Sequence, residues 1–244
     1  MPPSTRRTLP QGTASAGNLP TSAAVTKRDR IVMELRRMIL AGELPRGSRI
    51  QQDDLAAMFK TSITPVREAL RFLEAEGVLV GEPHRGVRVA EADYDQVKTV
   101  YLLRRLIEPY AAGRAARRLS LRDFDLGERM VTEMEEATTA GDRAALSATN
   151  HRFHSLFYAR CGNDGLAAEI DALWLKYPWD VLEVLDTRAG ESSDEHRAML
   201  AAGRAGDGEE LARATARHLT EGFLALAKHM TGLEISDPYD VDND

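Results

Sequence analysis

The sequence predicts a mainly α protein: an N-terminal winged helix-turn-helix with a small β-hairpin, then a C-terminal all-α antiparallel helical bundle. Three observations predict it. Within residues 26–90, short helical stripes give way to a β-rich run broken by Gly and Pro. The stretch Thr61–Gly77 reads as a helix with one apolar stripe and a separate Thr/Arg face. After Ala90 strand signals vanish and everything reads as helix.

Charge separates the two parts. The chain has 244 residues and a net charge of −6. Residues 1–25 carry +2, and residues 26–90 hold 12 basic and 9 acidic side chains, or +3, so residues 91–244 carry −11. The negative net charge excludes a general nucleic-acid-coating protein, and with a basic front on an acidic body only the front is suited to a polyanion. The single cysteine, Cys161, permits no internal disulfide and fits a reducing, cytoplasmic location. No run approaches 18 apolar residues, so no membrane span is expected. Arg6 and Arg7 precede no apolar core, so the start does not read as a secretory signal.

Residues 1–25 are rich in Pro, Gly, Ser, Thr and Ala and read as a disordered tail. The first helix is expected from Thr26, a capping residue, to Ala41, with Ile31, Leu35, Met38 and Ile39 as its stripe. The loop GELPRGSRI ends in a short extended piece at Arg49–Ile50. A second helix covers Gln52–Phe59, and Lys60–Thr61 makes the tight turn. In the third helix Ser62 is the expected N-cap, Pro65 falls in the first turn, and Val66, Ala69, Leu70 and Leu73 form the stripe. Thr64, Arg67 and Arg71 lie off that stripe, a face suited to a DNA major groove. Val78–Val80 and Val87–Val89 are the expected hairpin arms around a wing tip at Pro83–Gly86. There Arg85 reads either as a DNA contact or as a solvated turn charge.

The bundle should contain six segments: Tyr94–Leu119, Ser120–Ala140, Asp142–Cys161, Asp164–Leu185, Ser192–Ala202 and Asp207–Met230. Gly141, Gly162, Gly190, Gly203 and Gly206 punctuate them, and Pro178 should kink or split the fourth. Residues 91–232 form this unit, and 233–244 an acidic, frayed tail.

AGELPRGSRI, DLAAMF, TPVREALRFLEAEGVLV and RGVRV resemble, in order and spacing, the DNA-binding domain of the GntR family of bacterial transcription regulators, over roughly residues 26–90. The resemblance implies that Arg67 reads a base edge through its bidentate fork. It gives Ser62, Thr64 and Arg71 to phosphates or neighbouring bases, with Pro65 between them, and Arg85 and Gly86 to the wing contact. Two positions depart from the pattern: Ile63 stands where many members have Arg, and Asp53 where some have a DNA-contacting Arg.

Histidines carry the chemistry of the bundle. In NHRFH, Asn150 and His154 are four apart on one helical face, with His151 near it. His196 in DEHRAMLAA has Met199 and Leu200 on its face, and His218 has small neighbours at Ala214, Gly222 and Ala225. Three inward imidazoles with the Asn150 oxygen would make an N3O set suited to Zn, Ni, Mn or Fe. On spacing alone, separate core or surface histidines remain the alternative. YLLRRLIE, NHRFH, EHRAMLAA and ARHL resemble the FCD ligand-binding domain of the FadR-like subfamily, which implies a divalent metal, Zn first, on Asn150, His154, His196 and His218. Asn150 departs from the Asp of many members. The resemblance also implies a small carboxylic acid effector beside the metal, with Arg104 as its arginine, although Arg104 alone reads equally as a surface residue. Trp174 and Trp179 read as packing.

No Gly-rich phosphate loop, G-x-S-x-G or H-E-x-x-H appears. The expected protein is therefore a ligand-responsive, homodimeric transcription regulator, a repressor rather than an enzyme, that binds a double-stranded operator. The alternatives are a metal-dependent enzyme fused to a DNA-binding domain, or a regulator whose metal site is non-functional.

Overall fold

The computed structural model describes residues 26–82, 86–179 and 189–240. Helix α1 (Lys27–Leu40) opens on a capping box: Thr26 accepts from the Asp29 amide, and the Asp29 carboxylate accepts from the Thr26 amide. It buries Ile31, Val32, Leu35, Met38 and Ile39. Strand β1 (Arg49–Ile50) and helix α2 (Gln52–Met58) follow. Lys60 makes the turn with φ at 49°, a left-handed conformation in a non-glycine residue. Helix α3 (Ile63–Ala75) buries Val66, Ala69, Leu70 and Leu73, the expected stripe.

The hairpin arms are β2 (Leu79–Glu82) and β3 (Gly86–Val89), with β1 on the far side of β3. The first arm starts one residue later than the sequence suggests. The amide of Val78 donates instead to the Leu73 carbonyl and closes α3. All pairing is antiparallel, with Ile50 opposite Val87 and Leu79 opposite Val89. Val87 and Val89 therefore face inward onto the three helices. His84 and Arg85 at the wing tip lie outside the described residues.

Six further helices follow among the described residues: α4 (Tyr94–Ala115), α5 (Leu121–Ala140), α6 (Arg143–Tyr158), α7 (Asp164–Lys176), α8 (Ala189–Arg204) and α9 (Gly208–Thr231). Asp93, Ser120, Asp142, Asn163 and Asp207 cap α4, α5, α6, α7 and α9, each accepting from the amide three residues on. Helices α4 and α9 touch at Gly113 and Gly208. A Cβ on Gly113 would fall 2.7 Å from the Gly208 carbonyl oxygen, so only glycine permits this approach.

Several boundaries differ from the sequence reading. Helix α4 stops at Ala115, not Leu119, and α6 at Tyr158, not Cys161. Helix α7 stops at Lys176 because Tyr177, which precedes Pro178, is extended with ψ of 137°; residues 180–188 lie outside the described residues. Gly190 and Gly203 do not punctuate but lie inside α8. Gly203 is there for space, since a Cβ would come within 3.1 Å of the Phe124 ring.

The expected fraying also fails where the chain is described. Residues 233–240 fold back on the bundle. Ile235 and Tyr239 pack on its core, and the Tyr101 hydroxyl donates to Asp237 at 2.6 Å. Residues 1–25 and 241–244 lie outside the described residues.

The winged part and the bundle each have a core cluster. Leu175, on the last turn of α7, belongs to the winged cluster. Beside it the Arg46 guanidinium donates to the carbonyls of Ala90, Leu175 and Tyr177. Ser147 on α6 donates to the Leu40 carbonyl.

Candidate functional site

The off-stripe side of α3 is a free surface. Ser62, Thr64, Arg67 and Arg71 are exposed and Pro65 is half-buried. Among the described residues neither Arg67 nor Arg71 has an ion-pair partner, whereas Arg49 and Arg88 on the sheet are paired with Glu82. Ser62 occupies the N-cap position with extended backbone, but its hydroxyl makes no cap hydrogen bond. Gly86 opens β3 with φ at +93°, where a side chain would be strained.

The bundle brings three histidines together. His154 on α6, His196 on α8 and His218 on α9 place one ring nitrogen each within 4.8 Å of one another. The Nε2 atoms of His154 and His196 are 3.2 Å apart. Nitrogens around one zinc ion, each about 2.0–2.1 Å from it, stand roughly 3–4 Å apart. His154 and His196 are buried and His218 nearly so. Asn150 lies one turn before His154, and its Oδ1 is buried with no hydrogen-bond partner. An orphaned acceptor in a closed site is costly unless something binds it. Three of the four residues predicted as ligands therefore converge as a cation would require, and the fourth has an unpaired oxygen one helical turn from His154.

Partners fix which nitrogens are free. The Tyr158 hydroxyl donates to Glu108 at 2.5 Å, so it can only accept from His154 Nδ1, 3.4 Å away. Glu195 Oε2 lies 2.7 Å from His218 Nδ1 and accepts a hydrogen bond from its N–H. Both rings are thereby assigned as Nδ1–H, with Nε2 lone pairs left for a ligand. Burial, then the neighbouring His218 and His196, hold the His154 imidazole well below the usual histidine range. It is neutral at pH 7, the form that binds metal.

Arg104 is not on the surface. It is 2% exposed, and its guanidinium meets Glu108 at 2.5 Å. The rings of Trp174, Tyr177 and Trp179 surround it at 4.6–5.0 Å. Glu108 also accepts from Trp174 Nε1, so Trp174 is a hydrogen-bonded wall as well as packing. Sequence reasoning missed Glu108, Tyr158 and Glu195 as parts of the site. The first two stand four residues after Arg104 and His154, a spacing that could have found them. Glu195 carries no such signal, because its partner is on another helix. His151, placed near the same face by the sequence, turns to Asp171; its neighbour Arg152 turns to Glu133, and His229 is exposed.

A winged helix with an unpaired Thr/Arg recognition face, fused to a helical bundle, defines a DNA-binding transcription regulator. The chain belongs to the GntR family of bacterial regulators and carries an FCD domain. Residues 27–89 match the family of bacterial regulatory proteins called gntR, and residues 99–221 match the FCD domain. It is 32% identical to a probable D-xylose utilization operon transcriptional repressor of Paenarthrobacter nicotinovorans, over 87% of this chain and 92% of that one. It is 25% identical to the transcriptional regulator McbR of Escherichia coli over 79% and 89% of the two chains. The solved structure of E. coli McbR/YncC has the same fold, with a TM-score of 0.77 at 24% identity, over 85% of this chain and all of that one. Both families consist of transcription regulators rather than enzymes. Among the described residues no helix is long and apolar enough to cross a membrane.

Proposed function

We propose that the chain is a ligand-responsive repressor whose bundle binds one divalent metal ion through Asn150, His154, His196 and His218. The observation that carries this is the convergence of three imidazoles, with an unpaired, buried Asn150 oxygen one helical turn before His154. Such a donor set suits Zn first, then Ni, Mn or Fe, and leaves positions open. The direct ligands are all uncharged, so the ion would favour a small carboxylic acid in those positions. Arg104 is the candidate for the acid's second oxygen through Nη1, because Glu108 holds Nε and Nη2.

DNA is held by α3 and the wing in this reading. Arg67 reads a base edge; Ser62, Thr64, Pro65 and Arg71 line the contact; Arg85 and Gly86 serve the wing. Two copies act on a pseudo-palindromic operator. The exposed stripe Leu103, Leu106 and Tyr110, at helical spacing on α4, supports a homodimer face. Domain limits of 26–90 and 91–232 belong to this reading, and the separate core clusters of the two parts support it.

The seam at Arg46 supports the coupling. Trp174 faces the histidines and Arg104, while its neighbour Leu175 packs in the winged core. An effector that moves the end of α7 would move the winged part with it.

Metal analysis of protein purified without added metal tests this function. About one equivalent per chain is expected, lost in His196→Ala. Wild-type protein that carries no ion and takes up none from Zn2+, Ni2+, Mn2+ or Fe2+ would sink the metal reading.

A further inference from the structure

Asn150 brings no charge to the donor set. Three imidazoles and an amide oxygen would surround a divalent cation with neutral groups in a largely closed cavity, a costly arrangement. The nearest buried carboxylate network does not relieve it. Glu108 is bound to Arg104, and its other contacts are the Tyr158 hydroxyl and Trp174 Nε1. Its negative charge is matched by the guanidinium.

Glu195, which also has other contacts, touches a member of the triad directly. It sits on α8 directly before His196, so the two side chains leave the helix about 100° apart. His196 enters the triad, while Glu195 reaches across to α9 and meets His218 Nδ1 at 2.7 Å. This is not an exposed surface pair: the two side chains are 22% and 11% exposed.

We propose that Glu195 is the outer-sphere anion of the metal site and a positioning residue for His218. It fixes the Nδ1–H tautomer, aims the Nε2 lone pair at the triad, and supplies through the imidazole the negative charge that Asn150 does not. The proposal rests on the metal reading above. It assigns the site's charge to α8, the helix that also supplies a direct ligand.

The test is competitive titration of the metal-free full-length chain with Zn2+ against a chromophoric chelator. Glu195→Gln keeps an acceptor at the same place and removes only the charge. Its affinity should fall roughly 10–100-fold, with the far-UV spectrum unchanged. Asn150→Asp added to Glu195→Gln should recover most of the loss, because a carboxylate then stands in the inner set. Two results would overturn the proposal: Glu195→Gln binding Zn2+ within about twofold of wild type, or the double variant binding no better than Glu195→Gln. Failure of the wild type to bind Zn2+ is a separate outcome that removes the metal reading itself, and this one with it.

Discussion

His154 is a fully buried imidazole whose closest charged neighbours are other bases and Arg104. Its folded-state pKa is depressed below the usual value of 6.5, first by burial and then by His218 and His196. Protons therefore bind the unfolded chain before the folded one. The stability that neutral His154 represents is complete above about pH 6.5 and is lost as pH falls toward the folded-state value. The slope is at most about 1.4 kcal/mol per pH unit for one such group. Carboxylates such as Asp123, held down to about 2 chiefly by Arg160, stay ionised in this window. Urea unfolding of the metal-free protein at pH 7.5 and 5.5 should show lower stability at 5.5; a flat or rising profile would contradict the burial argument. How much of this site the sequence revealed follows from its geometry. Asn150 and His154 share one helical face, and the inward arcs of His196 and His218 could be read from their apolar neighbours. Glu195 could not be found that way. A glutamate beside a histidine is an ordinary solvent-facing residue until the packing of α8 on α9 is known. Arg104 could not be assigned a depth either, since its counter-ion and three aromatic walls come from two helices and a loop.

At the scale of the element, α3 separates two roles that its sequence merges. Ser62 stands where a cap belongs, yet its hydroxyl is not used in the helix. Ser62→Ala should therefore change folding stability by less than about 0.5 kcal/mol, well below the roughly 1 kcal/mol of a working cap. Arg67→Ala should likewise leave stability intact, because Arg67 is exposed and unpaired among the described residues. It should cost about 1–3 kcal/mol of operator affinity and relax discrimination at one base pair. Mobility-shift titration at fixed salt, with unfolding curves of the same samples, checks both. Retained sequence-specific binding in Arg67→Ala would remove α3's assigned reader. Most elements were legible because their signals are local. Thr26, Ser120, Asp142 and Asp207 bond to amides three residues away, and the stripe of α3 repeats at helical spacing. The glycines of α8 were misread for the opposite reason. Gly203 is glycine because Phe124 is close, and that closeness is tertiary. The fold-back of Asp237 onto Tyr101 was hidden in the same way by an acidic composition that reads as solvated.

Across the whole molecule, Arg46 is central to the polar contacts that the described residues make between the winged part and the bundle. One guanidinium donates to Ala90, Leu175 and Tyr177, tying the loop after α1 to the end of α7. The seam holds a small cavity lined by Leu40, Arg46, Ser147, Leu175, Tyr177 and Trp179, so it is not packed solid. Tyr177 and Trp179 also cover Arg104, and Trp179 Nε1 donates to the Trp174 carbonyl. In the proposed reading, a shift at the histidines would reach the winged part through two residues of one helical turn, Trp174 and Leu175. Hydrogen bonds from a charged donor contribute about 1.5–3 kcal/mol each, so Arg46→Ala should loosen the seam without unfolding either core. Hydrogen exchange resolves this. In the wild type, Zn2+ should protect amides around the bundle histidines and also in the loop of residues 42–48. In Arg46→Ala the bundle should still gain protection while the loop gains none, since the two parts no longer share a two-state element. Loop protection that persists in the variant would show that the coupling runs elsewhere, with Ser147 and Leu40 the next pair to test.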